Sequence, residues 1–176
     1  MSKIQNYKKV GSMKIKSGKI DITDPCYDKD VWCRMDGVSV KPGEYNCYVL
    51  LKGRKYKSVY AMAITHVDAD LTEPICIDDL HYAGSVGVDA GLMSITEAGT
   101  KPDYTDEQWE KFVDALQSGP IYIVSNELMF NLNATMFVAT SGDGDGDYPV
   151  GVLNSHNPSD KEATPDIIYI LFKEEE

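Results

Sequence analysis

The chain has 176 residues, 43% of them hydrophobic, and a formal net charge of −11 from 28 Asp and Glu against 17 Lys and Arg. That length suits one domain, expected to span 1–176, with a core that needs no staple, and the composition excludes a disordered class. A surface so acidic argues against nucleic-acid backbones and anionic lipid as partners, since each contact would bring like charges together.

No apolar run is long enough to cross a bilayer, and the opening "MSKIQNYKKV" lacks a signal-peptide core, so a cytoplasmic protein is expected. Cys26, Cys33, Cys47 and Cys76 are then expected as reduced thiols. Residues 1–12 and 173–176 are expected as flexible ends. Lys3, Lys8 and Lys9 of the first of these, with Lys14, Lys16 and Lys19, read as a solvated face.

Most of the periodicity is that of strands. In "GKIDITDP", Ile20 and Ile22 alternate with Asp21 and Thr23 until Asp24-Pro25, where proline ends ladder pairing. "GEYNCYVLL" follows the turn signal Lys41-Pro42-Gly43, and "YKSVYAMAITH" reads as its hairpin partner across Lys52-Gly53-Arg54-Lys55. Further strands are expected at "SVGVD", "GLMSI", "IYIVS", "MFVAT", "YPVGVL" and "DIIYILF". The last is apolar on both faces and reads as a central strand. One helix interrupts them at about 105–117, in "TDEQWEKFVDAL". Thr105 and Gln108 have capping-box spacing, and Trp109, Phe112, Val113 and Leu116 form an apolar stripe. The pattern predicts a mainly β fold: an antiparallel sandwich or partly open barrel with that helix packed on it and Trp109 in the core. The stretches "DADLTEPICIDDLHYAG" and "NSHNPSDKEATP" read as long loops.

Chemistry-bearing groups gather where strands end. Asp143, Asp145 and Asp147 alternate with glycine in "SGDGDGDYP", as in the opening of a calcium loop. An EF-hand would need glycine where Tyr148 stands and glutamate where Asn154 stands, so that loop type is excluded. A looser Ca²⁺ or Mg²⁺ site and a tight glycine turn capped by aspartates both fit. Cys26 follows Asp24-Pro25 at a strand end and is either a structural thiol or a nucleophile served by His66 or His81. Asp89, in "VGVDAG", either caps backbone amides or faces a ligand. Paired metal-binding cysteine knuckles, phosphate-cradling loops and nucleophile elbows are absent from the sequence.

"ITDPCY", "WC", "VKPGEY", "GSVGVDAG" and "SGDGDGDYPV", in this order, resemble the motifs of an uncharacterised family of bacterial and phage proteins. The likeness spans about residues 18–153. It implies no activity. It does imply a bacterial or phage-infected setting and a set of recurring positions: Asp24, Pro25, Cys26, Tyr27, Trp32, Cys33, Asp89, Gly91, Ser141, Gly142, Gly144, Asp145, Gly146, Tyr148 and Pro149. In that pattern Asp143 and Asp147 fall in variable slots. After "VDAG" the relatives continue toward a Phe-Asp pair, where this chain has Met93-Ser94-Ile95-Thr96.

If the ends of these strands meet at one rim, Asp24, Cys26, Asp89, Ser141, Asp145 and Tyr148 form a polar binding site. The expected function is then a non-enzymatic binding protein of a bacterial or infected cytoplasm, capturing a host protein, such as a defence component, or a small ligand. Two alternatives stand beside it. One is a metal-assisted hydrolase with Asp24, Asp89 and Asp145 as ligands and Tyr148 or Cys26 assisting; the other is a virion or structural accessory protein.

Overall fold

The computed structural model describes residues 7–53, 57–72, 75–100, 105–117, 119–125, 135–142 and 144–173. In chain order its elements are β1 (Lys8–Ile15), β2 (Lys19–Thr23), β3 (Met35–Ser39), β4 (Gly43–Lys52), β5 (Ser58–His66), β6 (His81–Val88), β7 (Leu92–Glu97), α1 (Asp106–Gln117), β8 (Tyr122–Ser125), β9 (Met136–Thr140), β10 (Gly146–Leu153) and β11 (Ile167–Leu171). The strands form two antiparallel sheets, one ordered β1-β4-β5-β11-β10-β6 and the other β3-β2-β7-β9-β8. The expected sandwich is the observed one, and neither sheet closes into a barrel.

The hairpin read from Lys41-Pro42-Gly43 onward forms between β4 and β5, with Cys47 opposite Ile64 and Val49 opposite Met62. β11, apolar on both faces, lies between β5 and β10 as a central strand. At the start of α1 the Thr105 amide donates to Gln108 Oε1 (2.8 Å) and the Gln108 amide to Thr105 Oγ1 (3.3 Å). Both orphan donors of the capping box are thereby satisfied. The expected packing of α1 through Trp109, Phe112, Val113 and Leu116 falls on side chains outside the described residues.

Two strands do not show in the sequence pattern. β1 was hidden by its lysines and by a register shift between Lys9 and Gly11, so the flexible end expected over 1–12 is corrected from Lys8 onward. There the backbone pairs with β4 while Lys8, Lys9 and Lys14 remain exposed. Of the expected loose ends, 1–6 and 174–176 lie outside the described residues. β3 is short, and its Gly37 takes φ +69°.

The main core lies between the sheets. Ile20, Ile22, Met93, Ile95 and Phe137 of the smaller sheet meet Tyr45, Cys47, Ile64, Val150, Ile168 and Ile170 of the larger. Both outer faces carry further layers. On the larger sheet, Ala61, Ala63, Ile167 and Tyr169 are covered by Ala69, Leu71, Ile75, Ile77 and Leu80 of the segment after β5. On the smaller sheet the outer positions are largely polar. Asp21 pairs across from Thr96 and Thr23 across from Ser94, and all four are buried. A sandwich face made of such residues normally meets water. Here the 24–34 segment folds back over it.

Candidate functional site

Two arrangements grow out of the end of β2. The first is the rim where β2, the β6–β7 turn and the β9–β10 loop meet. Asp24 is fully buried, and its carboxylate accepts three backbone amides: Cys26 N on Oδ1 (2.8 Å), Asp89 N on Oδ2 (2.9 Å) and Ala90 N on Oδ2 (2.7 Å). One aspartate thus fastens the smaller sheet to the turn that leaves β6 of the larger. The Gly91 carbonyl accepts the Ser141 amide (3.0 Å), which joins the third motif to the second.

Within "SGDGDGDYP" the Ser141 hydroxyl donates to the Gly144 carbonyl (2.7 Å). The Tyr148 hydroxyl lies 2.6 Å from that carbonyl and 3.0 Å from the Ser141 carbonyl, sharing its proton between them. The Tyr148 ring packs edge-on against Phe172. Gly142 (φ +56°) and Gly144 (φ +112°) supply backbone shapes that side-chain-bearing residues avoid. The run is thus a turn closed on its own hydroxyls. Asp145 and Asp147 stand exposed at its surface, and Asp143, the first carboxylate of the expected Ca²⁺ or Mg²⁺ loop, lies outside the described residues. Among the described residues no three His, Cys, Asp or Glu side chains converge as a metal site.

Of the residues singled out in the sequence, Asp24, Ser141 and Tyr148 therefore join one hydrogen-bonded unit through the backbones of Asp89, Ala90, Gly91 and Gly144. Asp89 contributes its amide, and its side chain is exposed. Asp145 stays outside that unit.

The second arrangement is a cavity of about 340 Å³ between the 24–34 segment and the outer face of the smaller sheet. Pro25, Cys26 and Tyr27 form one wall, Gly99 and Thr100 another, and Asp28, Lys29 and Asp30 also line it. A small recess behind it reaches Thr23, Ser94 and Thr96. Two buried charges lie against the cavity. Asp21 accepts the Gly37 amide on Oδ1 and the Gly99 amide on Oδ2, both at 2.8 Å. Arg34 donates through Nε (3.0 Å) and Nη2 (2.8 Å) to Asp36 Oδ1, and through Nη1 to the Tyr27 carbonyl (3.0 Å).

The ionisable groups of the wall are held in their neutral forms. Burial pushes the Cys26 thiol up to about 12, helped by the adjacent charge of Asp24 and a hydrogen bond to it. Tyr27 also rises to about 12, through burial, a hydrogen bond with Cys33, and the charges of Cys33, Asp89 and Asp24. A thiol with that pKa is a poor nucleophile at neutral pH. The chain's histidines lie elsewhere, with the Nε2 of His66, His81 and His156 set against the carbonyls of Pro42, Pro158 and Asp68.

Sequence reasoning singled out Cys26 from this cavity and missed Asp21, Arg34, Gly99 and Thr100. The alternation in "KIDIT" places Asp21 on the face away from the core, and nothing local reveals that the chain returns to cover that face. Comparisons with protein-family models, with curated proteins and with solved structures find no match to this chain.

Proposed function

We propose that this protein is a non-catalytic binding domain that takes a small polar ligand into the cavity between the 24–34 segment and the outer face of the smaller sheet. The observation that carries this reading is the cavity itself: about 340 Å³ with Asp21 and Arg34 buried against it. That size falls in the range of small-molecule sites, which pair a shaped wall with a few polar anchors. The neutral Cys26 thiol and the distance of the histidines from the cavity favour retention of a ligand over covalent chemistry on it. The motif resemblance supports a bacterial or phage-infected cytoplasm as the setting, where sequestering a ligand would interfere with host physiology or defence.

The test is equilibrium dialysis of the protein against a bacterial small-molecule extract, read by mass spectrometry, beside a Thr100→Trp variant that fills the cavity. A metabolite retained at one per chain by the wild type and lost by the variant is the expected result. Retention unaffected by Thr100→Trp would remove the cavity from the account, and steady conversion of a metabolite at trace protein would replace binding with catalysis.

Trp32 favours a second reading, a protein partner. Its residue is 92% exposed, on the same segment as Asp28 and Asp30. A solvated indole flanked by carboxylates suits a basic protein surface, since tryptophan anchors are frequent at the centre of interfaces.

A further inference from the structure

We propose that the cavity reads the amide edge of an uncharged lactam or imide ring, the adjacent carbonyl and N–H of a pyrimidine-type heterocycle, through Arg34 and Asp21. This inference rests on the small-ligand reading above and names the ligand class for the same site.

Its starting point is a gap. Arg34 Nη2 and Asp21 Oδ2 face each other at 4.0 Å, with side-chain exposures of 7% and 6%. Hydrogen bonds of this type close to about 2.7–3.2 Å, so the two charges are neighbours without being bonded. A guanidinium has five N–H donors. Among the described residues, three of them serve Asp36 and the Tyr27 carbonyl, which leaves one on Nη1 and one on Nη2. Asp21 Oδ2 accepts the Gly99 amide and keeps further acceptor capacity. Each nitrogen of Arg34 already has one partner, and its spare N–H groups together with the spare acceptor capacity of Asp21 Oδ2 fit a third group that accepts from Arg34 and donates to Asp21.

A cis-amide edge does both at once. Standard amide dimensions set its oxygen and nitrogen about 2.3 Å apart, so two diverging hydrogen bonds span a 4.0 Å donor–acceptor pair. An amine or a carboxylate engages only one member and leaves the other worse off. The surroundings suit a ring: Pro25 and Tyr27 offer apolar faces, and the volume admits a base with an attached sugar. Asp28 and Asp30 outweigh Lys29 between them and leave this stretch of the lining net negative, which favours a free base or nucleoside over a nucleotide.

The test is an amide NMR titration of the intact protein with three probes: uridine, N3-methyluridine, which lacks the edge N–H, and putrescine, a cation that the acidic lining alone would attract. Uridine is expected to shift the Gly99 and Thr100 amides saturably. N3-methyluridine should bind at least about tenfold more weakly, because the buried Asp21 acceptor then loses its donor. Arg34→Lys, which keeps the charge and loses the planar fork, should weaken uridine similarly. The comparison of the two nucleosides uses wild-type protein, so it stands even if that variant fails to fold. Equal binding of the two nucleosides, or shifts with putrescine alone, would overturn the amide-edge assignment and leave the cavity as a ligand site. Silence toward all three probes at millimolar concentration would also overturn it, and the extract dialysis would then decide separately whether the cavity binds anything.

Discussion

Removing the Asp24 carboxylate should loosen the junction of the two sheets. In Asp24→Ala the amides of Cys26, Asp89 and Ala90 lose their common acceptor at a position with no solvent exposure. A hydrogen bond to a charged group contributes about 1.5–3 kcal/mol, and a buried amide left unpaired costs about 1–3 kcal/mol. The Asp89 and Ala90 amides share one oxygen, and the turn can relax toward water, so the three do not add in full. The expected loss is about 3–5 kcal/mol, a large part of the roughly 5–15 kcal/mol that holds a domain together. In a thermal melt it appears as a fall of very roughly 6–20 °C for a chain of this size. Asp24→Asn keeps one acceptor oxygen but turns an NH₂ toward amide donors, so about half that loss is expected. The assay is urea unfolding at neutral pH with and without a chelator, comparing midpoints at unchanged slope. A loss below about 1 kcal/mol for the alanine variant would refute the fastening role. Refutation would also follow if the chelator destabilised the wild type to the level of the variant, since Asp24 would then act through a cation.

Three further outcomes are expected. Gly87→Ala should cost about 1–3 kcal/mol by overpacking, since its new Cβ would stand 2.9 Å from Cys33 Cβ and Sγ; an unchanged urea midpoint would mean that Cys33 is not seated on β6. Stability should decline in alkali, because Cys26 and Cys47 are both raised to about 12 from 9.0, chiefly by burial. The unfolded chain releases these protons near the ordinary thiol value while the native state retains them, so the contribution is complete below pH about 9 and lost on the way to about 12. Urea midpoints measured in reductant across that window check it, and a flat profile would contradict the buried neutral thiols. Trp32→Ala should leave stability within about 0.5 kcal/mol, since the residue is 92% exposed. A wild-type minus Trp32→Phe emission spectrum should be that of an indole in water, and a blue-shifted one would show that Trp32 is covered in solution.

The local patterns of the chain determined its strands, its helix and its tight turns. Alternation in "KIDIT", the short apolar run "MFVAT", the paired runs on either side of Lys52-Gly53, and the Thr105–Gln108 capping box each became the element they encode, because a strand face or a helix start is specified within a few residues. The glycines of "SGDGDGDYP" likewise announced a turn, since backbone with positive φ leaves little choice of residue. β1 escaped because its lysines and its bulge break the alternation that reveals a strand.

Tertiary structure alone decided what these elements do together. Asp24 meets amides 65 and 66 residues further along, a partnership that no local spacing contains. The same holds for Asp21 and Thr23, whose placement opposite Ile20 and Ile22 reads as a wet face until the 24–34 segment folds over it. Periodicity tells which side of a strand a residue occupies. Whether that side meets water, a covering loop or a ligand depends on chain that arrives from elsewhere, and only the folded molecule sets Arg34 beside Asp21 at the cavity.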